Sequence, residues 1–223
     1  MLEFKPITYQ DTKDYILNYH YAHRMPSISY AFGLFQDQDL VGVCTFGKPA
    51  SPALTRGVCG SDYASQVYEL NRVYTLDNLP HNATGQLVAY SLRQLKPLNL
   101  IIVSYADEGM HHQGILYQAT NFLYCGKTKG RTDRFTGVGH HSRHYDKDAI
   151  EVYRSIRTSK YRYIYFASDK RHKKEYLSHL NYKIQPYPTL HKATHYHVGD
   201  EETKYLKVVA TGKIITEDDL KDS

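Results

Sequence analysis

The chain has 223 residues, 28 Lys and Arg against 23 Asp and Glu, 13 His and a formal charge of +5. Hydrophobic residues make up 41% and charged residues 23%, a balance that excludes a disordered or fibrous chain. About 70% of the unfolded surface can be buried at this length, so folding needs neither disulfides nor a structural metal. No apolar run approaches the ~20 residues of a membrane span. The opening MLEFKPITYQ lacks the basic and apolar layout of an export signal. Cys44, Cys59 and Cys125 show no CxxC spacing and read as free thiols of a reducing compartment. The 22 tyrosines, with no Trp, suit a wet surface that touches bases or sugars, or a core built with Tyr in place of Phe.

Phe4 to Thr8 reads as a strand and Asp11 to His20 as a helix, closed by Met25-Pro26-Ser27. Ser29 to Phe35 and Leu40 to Phe46 form a hairpin about the polar turn Gln36 to Asp39. Gly47 to Asp62 reads as a loop, with two prolines and three glycines. Val67 to Thr75 alternates, with Glu69 and Asn71 on one face and Leu70 and Arg72 on the other. Gly85 to Leu95 reads as a helix burying Leu87, Val88, Ser91, Leu92 and Leu95. Leu98 to Tyr105, LNLIIVSY, is apolar throughout, as in a strand covered on both faces. A helix from His112 to Phe122 and a strand from Leu123 to Lys127 follow. Arg131 to Asp148 has no period and reads as an insertion. Arg162 to Ala167 is a strand and Lys170 to Leu180 a basic helix; the ordered pattern ends near Gln185 to Pro188, and Glu217 to Ser223 is a charged tail.

This order predicts an α/β (α+β) chain with a partly parallel central sheet flanked by helices. One domain over 1–223 is expected, with a core over 1–130 and a C-terminal extension over 131–223 that completes the sheet and contacts DNA.

Ser104 to Gly114 follows the most buried strand, and ligands of open sheets gather at the carboxyl ends of strands. There Asp107 is a candidate base or metal ligand, and His111 and His112 are candidate ligands or proton carriers. Gly109 and Gly114 allow close backbone approach. His20 and His23 share a helical face, which suits a metal pair or simply complements the helix dipole. Arg72, inside a strand, needs a partner: Asp107, Glu69, or an anionic or carbonyl group of a ligand. Thr84 and Gly85 open a helix whose N-terminus can receive an anion. His140, His141 and His144, and His191, His195 and His197, lack the usual partners of a zinc site. Lys127, Lys129, Arg131 and Arg134, with Lys170, Arg171, Lys173 and Lys174, interleave with tyrosines and are candidate DNA contacts.

Tyr105-Ala106-Asp107, Gly109, His111 or His112, Gly114, the run Ile115 to Phe122, Tyr124 and Gly126 resemble the core signature of the Mom family of bacteriophage DNA-modification proteins. His20-Tyr21 with Arg24 and Pro26 is similar to its N-terminal motif, and Leu70, Arg72 and Val73 followed by Leu79-Pro80 also fit. The resemblance spans Asp14 to Lys129. It implies a GNAT-like acyltransferase fold and conversion of adenine in DNA to an N6-carbamoylmethyl form that evades host restriction. It further implies iron and an acetyl-CoA-like donor. Carried onto this chain, the catalytic candidates are His20, Tyr21, Arg72, Asp107 and Tyr117. The donor-binding candidates are Thr84, Gly85, Ser104, Tyr105, Gly109 and Gln118. Iron would take His20 and Asp107 with His23, His111 or His112. The expected partner is double-stranded DNA with a flipped adenine, in the host cytoplasm; a homodimer is one possible assembly. His81 to Gln86 carries a single glycine, fewer than an acetyl-CoA loop. A small-molecule or protein N-acetyltransferase and a non-catalytic DNA-binding anti-restriction protein are the rival classes.

Overall fold

The computed structural model describes residues 1–137, 150–189 and 204–220. The two downstream histidine clusters lie outside these residues. A seven-stranded sheet forms the body: β1 (Leu2–Pro6), β2 (Tyr30–Gln36), β3 (Asp39–Gly47), β4 (Val67–Thr75), β5 (Leu100–Asp107), β6 (Leu123–Lys127) and β9 (Lys160–Ala167), in the order β1-β2-β3-β4-β5-β9-β6. The pair β4–β5 is parallel, and the other pairs are antiparallel. Strand β9 runs between β5 and β6, so the two strands joined by the short helix do not touch.

Helix α3 (Ala83–Leu95) buries the residues its periodicity names: Leu87, Val88, Ser91, Leu92 and Leu95. They pack on one sheet face against Phe32, Leu34, Phe46 and Ile102. The other face is covered by α2 (Pro52–Cys59) and α5 (Lys170–Ser178), whose Val58, Cys59 and Tyr176 meet Val67, Ile101, Val103 and Ile164. With both faces covered, Leu100 to Ser104 is buried throughout. The three cysteines are free and buried. No helix among the described residues is long and apolar enough to cross a membrane.

Several elements differ from expectation. The loop at 47–62 contains α2, capped by Ser51 with Pro52 at its start, a cap-then-proline signal that the glycines obscured. The first helix divides into α1 (Tyr9–Asp14) and a π-helical turn (Tyr15–Tyr19). The helix expected over 112–122 is only α4 (Ile115–Ala119), started by Gly114 at φ +84°. The extension does not end at 188. Strands β7 (Arg131–Arg134), β8 (Tyr153–Arg157), β10 (Tyr205–Val208) and β11 (Ile214–Thr216) form a second sheet, ordered β11-β10-β8-β7.

Gly114 is required twice over. Its φ lies in the left-handed region, and an added Cβ would sit 2.3 Å from the Tyr163 ring. Gly114→Ala should therefore cost about 3 kcal/mol, combining backbone strain with overpacking. A chemical denaturation midpoint matching the parent would refute this.

Candidate active site

The cleft arises where β4 and β5 part. Their ladder runs from Val67↔Ile101 to Glu69↔Val103 and stops, although both strands continue. The hydroxyl of the fully buried Ser104 donates to the Leu70 carbonyl at 2.9 Å, satisfying a group the ladder abandons. Ser104 is thus a structural plug, not a surface that a donor can touch.

A bulge then decides which side chains meet. Phe46 pairs with Leu70 and Thr45 with Arg72, leaving Asn71 as the extra residue. Cross-strand partners share a face. Glu69, opposite Gly47, therefore lies on the same face as Arg72, opposite Thr45. Strict alternation had separated them. Asn71 is held in the bulge by the Thr45 hydroxyl at 2.7 Å and by its own amide donating to the Ser27 carbonyl at 2.8 Å.

The Arg72 guanidinium donates to the Asn71 carbonyl at 2.7 Å and the Arg24 carbonyl at 3.0 Å. Its Nε is buried without a partner among the described residues. It makes no ion pair with Asp107. Burial lowers the Arg72 pKa, and the Glu69 charge only partly opposes this. A buried N–H left unmade costs about 1–3 kcal/mol.

The π turn carries His20 to this cleft, with the His20 amide bonded to the Tyr15 carbonyl at 2.9 Å. π turns cluster at functional sites. His20 is 6% exposed and stacks on Tyr21 at 4.4 Å between ring centroids. Tyr21 meets His112 edge-on at 6.2 Å. Burial, then the charges of Arg72, His23 and His112, push the His20 pKa down to about 3. Its Nδ1 accepts from the Ala22 amide at 3.1 Å, which places the proton on Nε2. Burial likewise lowers His112 to about 4. Both folded values lie below the unfolded ~6.5, so the unfolded chain binds more protons as pH falls. Stability from these rings is full above about pH 6.5 and declines toward pH 4. The His20 ring resonances should not titrate between pH 5 and 8; a titration in that window would contradict the buried neutral imidazole.

Asp107 is held on every side. Thr158 donates to Oδ1 at 2.6 Å, the Gly109 amide to Oδ1 at 3.0 Å, and Lys160 pairs with Oδ2 at 2.6 Å. Burial alone would raise its pKa, but the bonds from Lys160 and Thr158, the Lys160 charge and the Gly109 amide hold it below the carboxylate range. Next to it, Glu108 accepts from Ser159 and pairs with Lys127. Thr158 and Ser159 come from the turn between β8 and β9 and Lys160 opens β9, far away in sequence, and no local pattern tied them to Asp107.

An iron centre does not fit these residues. Both Asp107 oxygens face donors, the His23 Nδ1 is engaged with the Leu17 carbonyl at 2.8 Å, and the Arg72 charge bears on His20. No group of three or more His, Cys, Asp and Glu among the described residues could hold a metal ion. The expected set His20, His23, Asp107, His111 and His112 is corrected accordingly.

The remaining candidates divide. The Tyr117 hydroxyl lies beside Ser104: burial raises its pKa, the Ser104 hydrogen bond opposes this, and the Tyr21, Cys44 and Glu69 charges raise it further. Thr84 bonds Thr75 hydroxyl to hydroxyl at 2.8 Å at the start of α3, and a Cβ on Gly85 would meet open space. Gln118 donates to the Tyr163 hydroxyl at 3.2 Å. Tyr105 lies on the opposite face of β5 from Ser104, where burial raises its pKa to about 12 against the pull of Arg162. Lys127, Lys129, Arg131 and Arg134 lie at the Asp107 end, since Thr128 bonds the Lys160 backbone there. Lys170, Arg171, Lys173 and Lys174 follow Ala167, which pairs with Leu100 at the other end of β5, about 23 Å away. The two basic sets do not form one patch around the cleft.

Fold and site together define an α/β protein with a cleft at the parting of a parallel strand pair, roofed by tyrosine and neutral histidine. The model of the Mom protein family matches residues 1–189, and the chain belongs to that family. It is 31% identical over 187 residues to the methylcarbamoylase Mom of Escherichia phage Mu, covering 76% of each chain. Solved structures with related architecture include an N-acetyltransferase from Staphylococcus aureus Mu50, with a TM-score of 0.47, 14% identity, and coverage of 75% of this chain and 99% of that one. A Bacillus subtilis acetyltransferase in complex with CoA has a TM-score of 0.41, 16% identity, and coverage of 74% and 99%.

Proposed function

We propose that this chain transfers a carbamoylmethyl-type group to the N6 amine of adenine in DNA, and that the modified DNA escapes host restriction. Family membership supports the substrate class. The observation that carries the chemistry is the buried Arg72 Nε, unpartnered beside His20 at the strand parting. An acceptor on the donor, such as a carbonyl oxygen, satisfies that N–H and gains polarisation in a site screened from water.

The adenine amine is delocalised into its ring and enclosed in the duplex. The base must leave the stack, at a cost of a few kcal/mol. Tyr21, stacked on His20, orients the flipped base, and the His20 Nε2–H donates a hydrogen bond. The Tyr117 hydroxyl, kept protonated by burial, is the acid available to the leaving group. Asp107, saturated by Lys160 and Thr158, positions the loop. An acyl-CoA-like donor fits the cleft, because β4 beyond Glu69 has no β5 partner and the first-turn amides of Thr84 and Gly85 have none within α3. Transfer of its acyl carbon would give an N6-acyl adenine, so for the carbamoylmethyl product the leaving group must sit on the methylene carbon of the donor. Lys127, Lys129, Arg131 and Arg134 hold DNA phosphates beside the cleft, and the α5 cations serve a more distant stretch of the duplex. The whole chain acts as one domain in the host cytoplasm.

The test is co-expression with a plasmid, digestion of its DNA to nucleosides and mass analysis. A new adenosine derivative is expected; an adenosine pool identical to the vector control would sink the reading.

A further inference from the structure

Transfer to an amine leaves a proton to be removed, and the site as described does not yet assign that proton. Asp107 is occupied by a cation and two further donors. His20 carries its proton on Nε2 and uses Nδ1 for the Ala22 amide. Tyr117 is an acid, not a base, at neutral pH.

Glu69 remains. It is the last β4 residue paired with β5, so it stands at the apex of the cleft. The Asn71 bulge sets it on the Arg72 face. Among the described residues its carboxyl makes no hydrogen bond and no ion pair. The charges that bear on it are Arg72 on β4 and Lys160 on β9, and its own charge bears on Tyr105 on β5 and Tyr117 on α4. Asp107 and Glu108 are both engaged by donors, whereas this half-buried carboxyl is not, and no structural task explains it.

We propose that Glu69 is a catalytic residue, the acceptor of the N6 proton. This rests on the transfer reading above. The donor is taken as an electrophilic carbon bearing a leaving group. As the N6–carbon bond forms, the bond from that carbon to the leaving group breaks, and its electron pair departs with the leaving group. The N6 proton passes to a Glu69 carboxylate oxygen. Burial raises the Glu69 pKa while Arg72 and Lys160 restrain the rise, which makes its carboxylate a stronger base than a surface one.

The experiment compares Glu69→Gln with Glu69→Asp by nucleoside mass analysis of co-expressed plasmid DNA. Gln keeps the shape and loses the base; Asp keeps the base and loses a methylene. The expected result is a fall of about 100-fold or more for Glu69→Gln, with Glu69→Asp retaining at least about tenfold more modification. A packing role reverses that order, and Glu69→Gln at or above Glu69→Asp overturns the proposal however well either variant folds. If the parent chain makes no modified adenosine, the transfer reading fails first; if it does and the order is reversed, only the Glu69 assignment fails.

Discussion

On the proposed transfer reading, Arg72→Lys should lower adenine modification by about 100-fold or more, although the charge is kept. The guanidinium is fixed by the Asn71 and Arg24 carbonyls, and this fixes the direction of Nε. An ammonium is a point charge on a flexible stem and cannot reproduce that fork. Losing one preorganised donor to a developing charge costs about 2.7–4 kcal/mol, or 100- to 1,000-fold in rate. The measurement is nucleoside mass analysis, with a circular dichroism melt to show that the fold survives. Modification above about a third of the parent level would remove Arg72 from the donor site.

Asp107→Ala melts well below the parent. It strands the Thr158 hydroxyl, the Gly109 amide and the Lys160 ammonium in one step. Asp107 is nearly buried, but the Lys160 side chain is 44% exposed, so water recovers part of the loss. The net cost is about 3 kcal/mol, which is roughly 6–12 °C for a chain of this size. Asp107→Asn keeps the shape and loses the charge, so it should lose less. The sign of its pH dependence follows from the lowered pKa. The stabilisation is present above the unfolded value of ~3.9 and is lost as pH falls through the folded value. The gap between parent and Asp107→Asn should therefore be full at pH 6 and shrink as pH falls below about 4. A gap that does not shrink at all below about pH 4 would show that the Lys160 pair is not its source.

Much of the framework is legible because it depends on local periodicity. The α3 stripe and the β4 and β6 boundaries emerge as the sequence predicts; of LNLIIVSY, Leu100 to Ser104 is covered on both faces, while Leu98 is exposed and precedes the strand. The misreadings share a cause. Gly57 and Gly60 mask α2, whose real signal is Ser51-Pro52. Gly114 shortens α4 because its positive φ starts the helix late. The alternation of VYELNRVYT is genuine up to Leu70, and the bulge that breaks it at Asn71 has no signal in the strand itself.

By itself the sequence supplied candidates for the site, His20-Tyr21, Arg72, Asp107 and Tyr117, because motif and position after a buried strand are properties of the chain alone. The tertiary structure decided what those groups are able to do. Burial and the Ala22 amide make His20 neutral with a committed Nδ1. The β8–β9 turn turns Asp107 from a free carboxylate into a saturated one. The bulge brings Glu69 beside Arg72. Reactivity depends on solvation and on neighbours about 3 Å away, and those neighbours come from segments about fifty residues distant, which no local pattern records.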